Sequence, residues 1–458
     1  MRKDSPPPPL PAAAPPQYTH LYQPGPTSYQ AIPLVPTTRP RRSTLRRFLL
    51  AFFLAVVLGA SASLCSRIMT LITQGKIFGG HRWGAPSGLK INQCVTGDAW
   101  AIASADVSRP PHWTGTPFDL SLERDSILLV GSYPKRGLAG SLEVTTSPAL
   151  NGTATVSIMT VEGSRDGDVR ACGITGRAGE VGVGIFTRGW RWPWNRTHLK
   201  IRLVLPETGM PVLQGLTVDL PSFDLNIGNL GSKIWFDEVS LTTTNSPVRV
   251  KSLSAVRATL RTSNGAIKAE SIVSQNLKVR TSNAPISGTY NSSSSLSLET
   301  SNAPINVDVG LTSDDVKHTE LYMRTSNNVL DARISLLTPN GTFQTKARTS
   351  NGRLGLAFPA FGDDAALKLT ARTSNAPAQV VLNPAYEGWF EGRTSGHQSL
   401  VVERSGSGSG EEEDVREIEY EGRERDGRRA GYVYKGKEGR GRGRVEVRTS
   451  NAGIKLFL

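Results

Sequence analysis

Cysteine, histidine and the short signatures of catalysis are scarce in this chain of 458 residues. Its three cysteines have no C-x-x-C spacing, so neither a zinc motif nor a redox dithiol is present. Six scattered histidines suggest no ligand cluster, and no G-x-S-x-G, H-E-x-x-H, phosphate-loop or G-x-G-x-x-G motif occurs. We therefore expect a non-enzymatic protein that needs no metal or cofactor.

Acidic residues are also in deficit, because 39 Asp and Glu stand against 53 Lys and Arg and leave a net charge of +14. Residues 1–47 hold seven basic residues and one acidic residue, so the rest of the chain carries +14 − 6 = +8. Excess positive charge of this kind attracts anionic partners.

What the sequence has in abundance is a repeated pentapeptide, an apolar residue followed by Arg-Thr-Ser-Asn. Between Asn245 and Asn375 successive copies lie 19 to 25 residues apart, and such a period is typical of repeat architectures. The clear copies are Leu260–Asn264, Val279–Asn283, Leu298–Asn302 (with Glu299 in place of Arg), Met323–Asn327, Ala347–Asn351, Ala371–Asn375 and Val447–Asn451. Leu241–Asn245 and Gly392–Gly396 are weaker copies.

Each unit is predicted to form a strand, a corner and a second strand. Apolar and polar residues alternate in Leu296–Thr300 and again in Ile305–Val309, which is the pattern of half-buried strands. The intervening Asn is followed by Gly or Ala-Pro, residues that favour turns. The apolar residue and Thr should point inward, Arg and Ser outward, and the Asn side chains could bond to one another as a ladder.

These units predict an all-β fold, and we favour a β-solenoid-like repeat domain because one unit cannot bury its own apolar face. A β-sandwich or meander of hairpin repeats is the alternative, since two strands per 20 residues also fit hairpins. The predicted parts of the chain are a disordered Pro-rich tail at 1–47, a transmembrane helix at 48–66, a stalk at 67–97, an irregular β-rich domain or solenoid cap at 98–235, the repeat domain at 236–404, a disordered low-complexity insertion at 405–444 and a final repeat at 445–458.

The N-terminal part predicts a single membrane span. Phe48–Cys65 is uncharged and largely apolar, long enough to cross a bilayer, although a cleaved secretory segment ending near Ala60–Ala62 is the alternative. More arginines precede the run than follow it, so the N-terminus should be cytosolic and the C-terminal part extracellular or lumenal, in the plasma membrane or secretory pathway.

Three further motifs agree with this placement. The tail contains Pro15-Pro16-Gln17-Tyr18, which fits the P-P-x-Y ligand of WW domains, with Pro15, Pro16 and Tyr18 as contacts. Cys94 and Cys172 could pair in an oxidising compartment or remain buried thiols. The predicted glycosylation sites are Asn151, Asn195, Asn291 and Asn340.

The T-S-N-G and T-S-N-A-P units, such as Thr262–Gly265 and Thr300–Pro304, resemble the repeats of adhesin-like domains of unknown function. The resemblance covers residues 236–458 and, less clearly, 98–235. A Pro-rich tail, one span and a T-S-N ectodomain together are similar to uncharacterised single-pass membrane proteins of fungi. The resemblance implies a β-repeat fold and a role in adhesion, but the Ala-Pro corners and the charged insertion depart from the simplest repeat and leave the ligand face undefined.

We therefore predict a membrane protein whose glycosylated β-repeat ectodomain acts in adhesion, surface structure or ligand binding. One alternative is a carbohydrate-active β-helix enzyme that uses the acid pairs Asp314–Asp315 and Asp363–Asp364. The other is a membrane adaptor that recruits WW-domain proteins through its tail. The Gly-Arg run at 439–444 suggests RNA only for a cytosolic segment, so we expect no nucleic acid.

Stacked coils would also place the repeat arginines in one stripe, with neighbours roughly 5 Å apart. Such a stripe could bind anionic glycans, or its side chains could cover the sheet beside local acidic partners. The residues are Arg261, Arg280, Arg324, Arg348, Arg372 and Arg448, with Arg393 in a degenerate copy.

Overall fold

The computed structural model describes residues 87–96, 102–103, 117–122, 126–131, 137–161, 169–187, 197–208, 212–313, 317–362, 364–395, 398–404, 416–422, 427–435 and 441–458. These residues form 28 β-strands and no α-helix. Within them no helix has the length and apolarity needed to cross a bilayer. The predicted tail at 1–47 and span at 48–66 lie outside the described residues.

The strands before the clear repeats are β1 (Lys90–Thr96), β2 (Ile102–Ala103), β3 (Phe118–Ser121), β4 (Ser126–Gly131), β5 (Leu138–Asn151), β6 (Thr153–Val161), β7 (Val169–Thr175), β8 (Val181–Thr187), β9 (Thr197–Thr208), β10 (Val212–Asp219), β11 (Phe223–Asn229) and β12 (Trp235–Thr242). The repeats contribute β13 (Val248–Arg261), β14 (Ile267–Arg280), β15 (Ile286–Glu299), β16 (Ile305–Leu311), β17 (Thr319–Arg324), β18 (Leu330–Leu336), β19 (Thr342–Arg348), β20 (Leu354–Ala357), β21 (Ala366–Arg372) and β22 (Ala378–Val381). The last strands are β23 (Gly388–Arg393), β24 (Leu400–Glu403), β25 (Glu417–Tyr420), β26 (Arg428–Tyr434), β27 (Arg444–Arg448) and β28 (Ile454–Phe457).

Strands that precede a Thr-Ser-Asn corner pair in parallel with one another, and strands that follow it do the same. The first set, sheet 1, has the order β8, β4, β10, β12, β13, β14, β15, β17, β19, β21, β27, β23. The second set, sheet 2, has the order β9, β5, β11, β13, β14, β15, β16, β18, β20, β22, β28, β24. Hairpin repeats would require antiparallel neighbours, so this parallel pairing supports the solenoid-like fold over the meander.

The core lies between the two sheets. Alternate residues such as Leu260, Val279 and Leu298 in sheet 1 and Ile267 and Ile286 in sheet 2 are no more than 2 % exposed. They belong to one continuous apolar cluster that extends from the first coils to Leu458. The 14-residue strands β13, β14 and β15 contribute to both sheets, whereas later coils use separate strands joined by loops, which explains why the period increases from 19 to about 24 residues.

The Thr-Ser-Asn corner is held by buried and exposed hydrogen bonds. Thr325 is 1 % exposed and its hydroxyl donates to the carbonyl oxygen of Ala303 on the preceding coil, at 3.0 Å. The backbone amides of Ser326 and Asn327 both donate to the carbonyl oxygen of Ser301, each at 3.0 Å. Thr therefore satisfies an interior carbonyl that the turn would otherwise leave unpaired.

The corner asparagines form a continuous ladder, as their position in the repeat predicted. Each side-chain amide nitrogen donates to the amide oxygen of the Asn on the preceding coil, at 2.6 to 2.8 Å. The ladder consists of Asn245, Asn264, Asn283, Asn302, Asn327, Asn351, Asn375 and Asn451.

The segment at 98–235, predicted as an irregular β-rich domain or as the solenoid cap, is continuous with the repeats. Its strands β4, β5 and β8 to β11 are coils of the same two sheets, and β10 pairs directly with β12. Antiparallel strands β7 on sheet 1 and β6 on sheet 2 cover the N-terminal end, with β1 and β3 outside them. Part of the segment is therefore solenoid and part is its cap, and the cap strand β1 lies within the predicted stalk at 67–97.

The predicted disordered insertion at 405–444 needs correction at the positions of β25 and β26. β25 and β26 form an antiparallel hairpin there, and β26 pairs with β23 at the C-terminal end of sheet 1. Ile418 and Val433 are directly opposite and pack at the end of the core. The insertion's charged composition hid these strands, because their apolar residues are few and only cover one end of the stack.

Candidate ligand-binding face

The outward face of sheet 1 carries the Arg of each repeat in one straight row. The register runs through Arg261, Arg280, Glu299, Arg324, Arg348, Arg372, Arg448 and Arg393. Strands in a sheet are about 4.8 Å apart, so each charge faces another at that backbone spacing. The last five arginines occupy five consecutive coils, and we call them the arginine block.

Most of the row lacks local neutralisation. Arg261, Arg280, Arg324, Arg348 and Arg372 are exposed, and none forms an ion pair with a carboxylate in the described ranges. Arg448 differs, because its guanidinium lies 3.2 Å from the Glu446 carboxylate. Water and salt limit the repulsion between exposed neighbours to about 1 kcal/mol or less per pair.

On the outward face of sheet 2, by contrast, arginines form ion pairs with neighbouring carboxylates. Arg249 pairs with Asp224 at 3.5 Å and Arg353 with Asp331 at 3.1 Å. Arg333 also lies 3.7 Å from a carboxylate, that of Asp308 on the adjacent strand. The two faces therefore differ in electrostatics although both come from the same repeat.

Two lysines missed by the sequence prediction extend the basic surface. Side chains two and four residues before the Arg point to the same face, since direction alternates along a strand. Lys346 and Lys368 occupy such positions beside the arginine block, and both are exposed. Their spacing from Arg348 and Arg372 was a visible signal in the repeat.

Next to Arg261 and Arg280 the same face is indented. Small side chains leave a shallow depression of about 360 Å³ there. Its side-chain lining comes from Arg257, Thr259, Asn276, Lys278, Ser295 and Ser297. Arg257 is held by Glu238 at 3.4 Å, whereas Lys278 forms no ion pair with any described carboxylate.

Glu299 divides this indented region from the arginine block. It stands in the row between Arg280 and Arg324, and its carboxylate accepts a hydrogen bond from the Ser297 hydroxyl at 3.1 Å. On the next strand, four residues before Arg324, Glu320 adds a second carboxylate, which His318 approaches at 3.1 Å. An anionic ligand would therefore meet the longest run of row positions without an acidic residue on the C-terminal side of Glu299.

Of the other predicted site residues, Cys94 and Cys172 lie directly opposite each other on β1 and β7 and form a disulfide. This bond fastens the outermost cap strand. Asn151 and Asn340 are exposed, and Asn340 has a φ of 55° in a turn. Asn291 is half-buried, with its amide oxygen against Gly310.

The structure describes only some of the remaining predicted residues. Asp364 forms an ion pair with Arg442, which is the interaction of a structural loop carboxylate. The described residues hold no group of three or more potential metal ligands. Asn195, the contacts Pro15, Pro16 and Tyr18, and the acids Asp314, Asp315 and Asp363 lie outside the described residues.

Comparison with known proteins agrees with the repeat architecture. Residues 177–352 match the Toastrack DUF4097 family. The match begins within the N-terminal coils and ends at the corner after β19, so it joins the segment before β12 to the Thr-Ser-Asn repeats, as the strand pairing does.

No curated protein matches the chain significantly. One solved structure, a candidate cell adhesion protein from Clostridium sporogenes, aligns over 74 % of this chain and 99 % of its own, at 8 % identity. Its TM-score of 0.14 is too low for the two molecules to superpose as whole bodies, so the alignment supports no functional conclusion.

Proposed function

We propose that this protein is a non-enzymatic binding module that holds anionic polysaccharides against the outward face of sheet 1, in an adhesive or surface-structural role. The arginine block carries the proposal. Arg324, Arg348 and Arg372 are exposed, in register and without described carboxylate partners, whereas arginines on sheet 2 are paired.

The geometry suits a linear polymer that runs along the solenoid axis. Five arginines in register span four strand spacings, or about 19 Å. A polysaccharide with one carboxylate or sulfate per sugar ring presents its charges at a comparable spacing, so several ion pairs could form at once. Guanidinium groups also offer paired donors that match carboxylate and sulfate oxygens.

Substitution of three arginines tests the proposal. The triple variant Arg324→Gln, Arg348→Gln, Arg372→Gln should weaken binding to polygalacturonate or a sulfated glycan about tenfold to a hundredfold, because each exposed ion pair contributes up to about 1 kcal/mol. Binding by the unsubstituted protein should fall steeply between 50 and 500 mM salt, roughly as the screening length shortens. Titration calorimetry or surface plasmon resonance would measure both effects.

The fold supplies a control with the same change in charge. Arg249→Gln, Arg333→Gln and Arg353→Gln together remove three positive charges from the opposite side, where each is paired. This variant should bind nearly normally. Equal losses in the two variants, or duplex DNA bound as tightly as the polysaccharide, would mean that net charge rather than the block is responsible.

We propose further that a transmembrane helix at 48–66 displays this face, with the tail in the cytosol and residues 67–458 outside it. In microsomes, protease should digest the tail and spare the rest, and glycosidase should increase the mobility of the protected fragment. Exposed Asn151 and Asn340 are better placed for glycans than half-buried Asn291. A mature chain that begins near residue 63 would instead mean that the segment is a cleaved signal.

A cytosolic tail could also recruit a partner. We propose that Pro15, Pro16 and Tyr18 bind a WW domain, because proline-rich segments are preorganised for such grooves. A peptide of residues 10–24 should bind a panel of WW domains, and Tyr18→Ala should abolish that binding. Equal affinity of the two peptides would show that the motif is incidental.

A further inference from the structure

The last strand pair of the chain lies inside the stack and not at its end. β27 is flanked in parallel by β21 and β23, and β28 by β22 and β24. Because β23 and β24 precede β27 in the sequence, the chain skips one coil position, builds the next coil and fills the vacant position last. We call residues 444–458 the insert, as distinct from the low-complexity insertion that precedes it. The position that it fills between the flanking coils is called the slot.

The insert is bound on both sides through its backbone. The Thr373 amide donates to the Arg448 carbonyl oxygen, and the Thr449 amide donates to that of Arg393, both at 3.0 Å. At the corner, the Asn451 side chain donates to Asn375 at 2.7 Å, which extends the ladder by one member. The insert also closes the core with side chains no more than 1 % exposed, namely Val445, Val447, Ile454, Leu456 and Leu458.

Three of the four strands that flank the slot have a partner besides the insert, whereas β24 pairs with β28 alone among the described strands. β21 and β22 continue the long stack, and β23 is paired on its far side with β26. Gly388, at the start of β23, has a φ of 141° and approaches Gly443 so closely that a side chain would not fit, so this wall is matched to the segment that enters the slot. A vacant slot would therefore expose two parallel edges with an apolar floor.

The segment that connects β26 to the insert, which we call the tether, is longer than the distance it has to cross. Residues 435–443 connect β26 to β27, and both strands flank the start of β23, since Val433 is opposite Gly388 and Arg444 is opposite Trp389. This separation is about two strand spacings, or roughly 10 Å. Nine residues can reach about 30 Å, and four of these nine are glycines.

We propose that the insert is an exchangeable element and that the slot accepts the same segment from a second copy of this chain. Exchange retains every contact of the insert and changes only the path of the tether, which is the basis of domain swapping. The tethered insert has an effective concentration of about millimolar, so exchange is favoured where copies are crowded or fold together. Copies would thus be joined by a strand, a corner and a strand, with the arginine block completed by the partner's insert.

Cysteines placed in the asparagine ladder test the exchange in the full chain. Asn375 and Asn451 are ladder neighbours across the slot boundary, so with Cys65→Ser a chain carrying both Asn375→Cys and Asn451→Cys should cross-link within itself through a short bismaleimide. When two Cys65→Ser chains with one free cysteine each, Asn375→Cys and Asn451→Cys, are co-expressed and treated with the same reagent, covalent dimers should form. The matched control pairs Asn375→Cys with Asn264→Cys, two ladder positions that exchange would not bring together, and should give none.

Complementation by a peptide provides the second test. A chain truncated after Gly443 should bind a fluorescent peptide of residues 444–458, as measured by fluorescence anisotropy. The Val447→Asp peptide should bind at least about 100-fold more weakly, because it would bury an unpaired charge. Binding of both peptides with equal affinity would overturn the slot as a specific site.

The cysteine test decides the proposal if the truncated chain does not fold. Covalent dimers above the level of the Asn264→Cys control support exchange. Intramolecular cross-linking of the double-cysteine chain with no dimers from the mixed single-cysteine chains would refute it. Neither result depends on polysaccharide binding, so failure here leaves the proposed function standing.

Discussion

Replacement of the buried threonine at one corner should destabilise the solenoid more than replacement of the exposed asparagine two residues later. Thr325 donates one hydrogen bond, to the Ala303 carbonyl oxygen, from a position that is 1 % exposed. Asn327 takes part in two ladder bonds, one to Asn302 and one from Asn351, both 2.8 Å long, but its side chain faces solvent. The number of hydrogen bonds therefore predicts a larger loss of stability at Asn327, whereas burial predicts a larger loss at Thr325.

The estimated free energies predict the larger loss of stability for the buried Thr325. Thr325→Val keeps the shape but removes the one donor that any described residue offers to the Ala303 carbonyl, which costs about 1–3 kcal/mol. The added methyl group recovers up to about 0.8 kcal/mol, so the net loss lies between about 0.2 and 3 kcal/mol, with a central value of about 1.6 kcal/mol. In Asn327→Ala, water can replace both lost bonds, and we expect a loss of about 1 kcal/mol or less.

Urea denaturation followed by circular dichroism would compare the two variants, with hydrogen exchange at the corner amides as a local readout. The local readout matters because repeat proteins can unfold coil by coil, so one global free energy of unfolding is insufficient. Amides of Ser326 and Asn327 should exchange faster in Thr325→Val than in Asn327→Ala. If Asn327→Ala is equally or more destabilising, the ladder and not the buried hydroxyl is the main support of the corner.

Three other measurements follow from the structure. Loss of the Cys94–Cys172 disulfide through paired Ser substitutions should cost about 2–4 kcal/mol and accelerate hydrogen exchange in β1 and β7 while the central coils stay protected; unchanged exchange in β1 would contradict this. Gly388→Ala should cost about 1–3 kcal/mol in thermal unfolding because its φ is 141° and an added Cβ would meet a backbone oxygen, and an unchanged midpoint would refute that strain. Burial raises the pKa of both Tyr290 and Tyr386 above the ordinary value of 10.0. Above about pH 10 the unfolded chain therefore loses protons that the folded chain retains. Stability should be constant below that pH and then fall by up to about 1.4 kcal/mol per pH unit per tyrosine. Substitution of both tyrosines by Phe should flatten urea midpoints between pH 10 and 12, and an unaltered slope would show that other groups control alkaline unfolding.

The sequence by itself determined the local features of a coil. Alternation in Leu296–Thr300 set which side chains are buried, since side-chain direction reverses at each strand residue. The repeated Thr-Ser-Asn order placed Thr300 inside and Asn302 outside, and its recurrence once per coil was enough to predict the asparagine ladder and the arginine row. These features depend on residues close in sequence, and they repeat, so each copy reinforced the prediction from the others.

Only the tertiary structure decided how the coils follow one another. The order at the C-terminal end places Arg448 before Arg393 in the row, because the insert occupies a slot that an earlier segment left open. The pairing of β10 with β12 likewise joined the stretch before residue 236 to the repeats. Nothing local distinguishes these arrangements, since any coil presents a similar parallel edge, and the choice depends on which edges remain unpaired once the whole chain has folded.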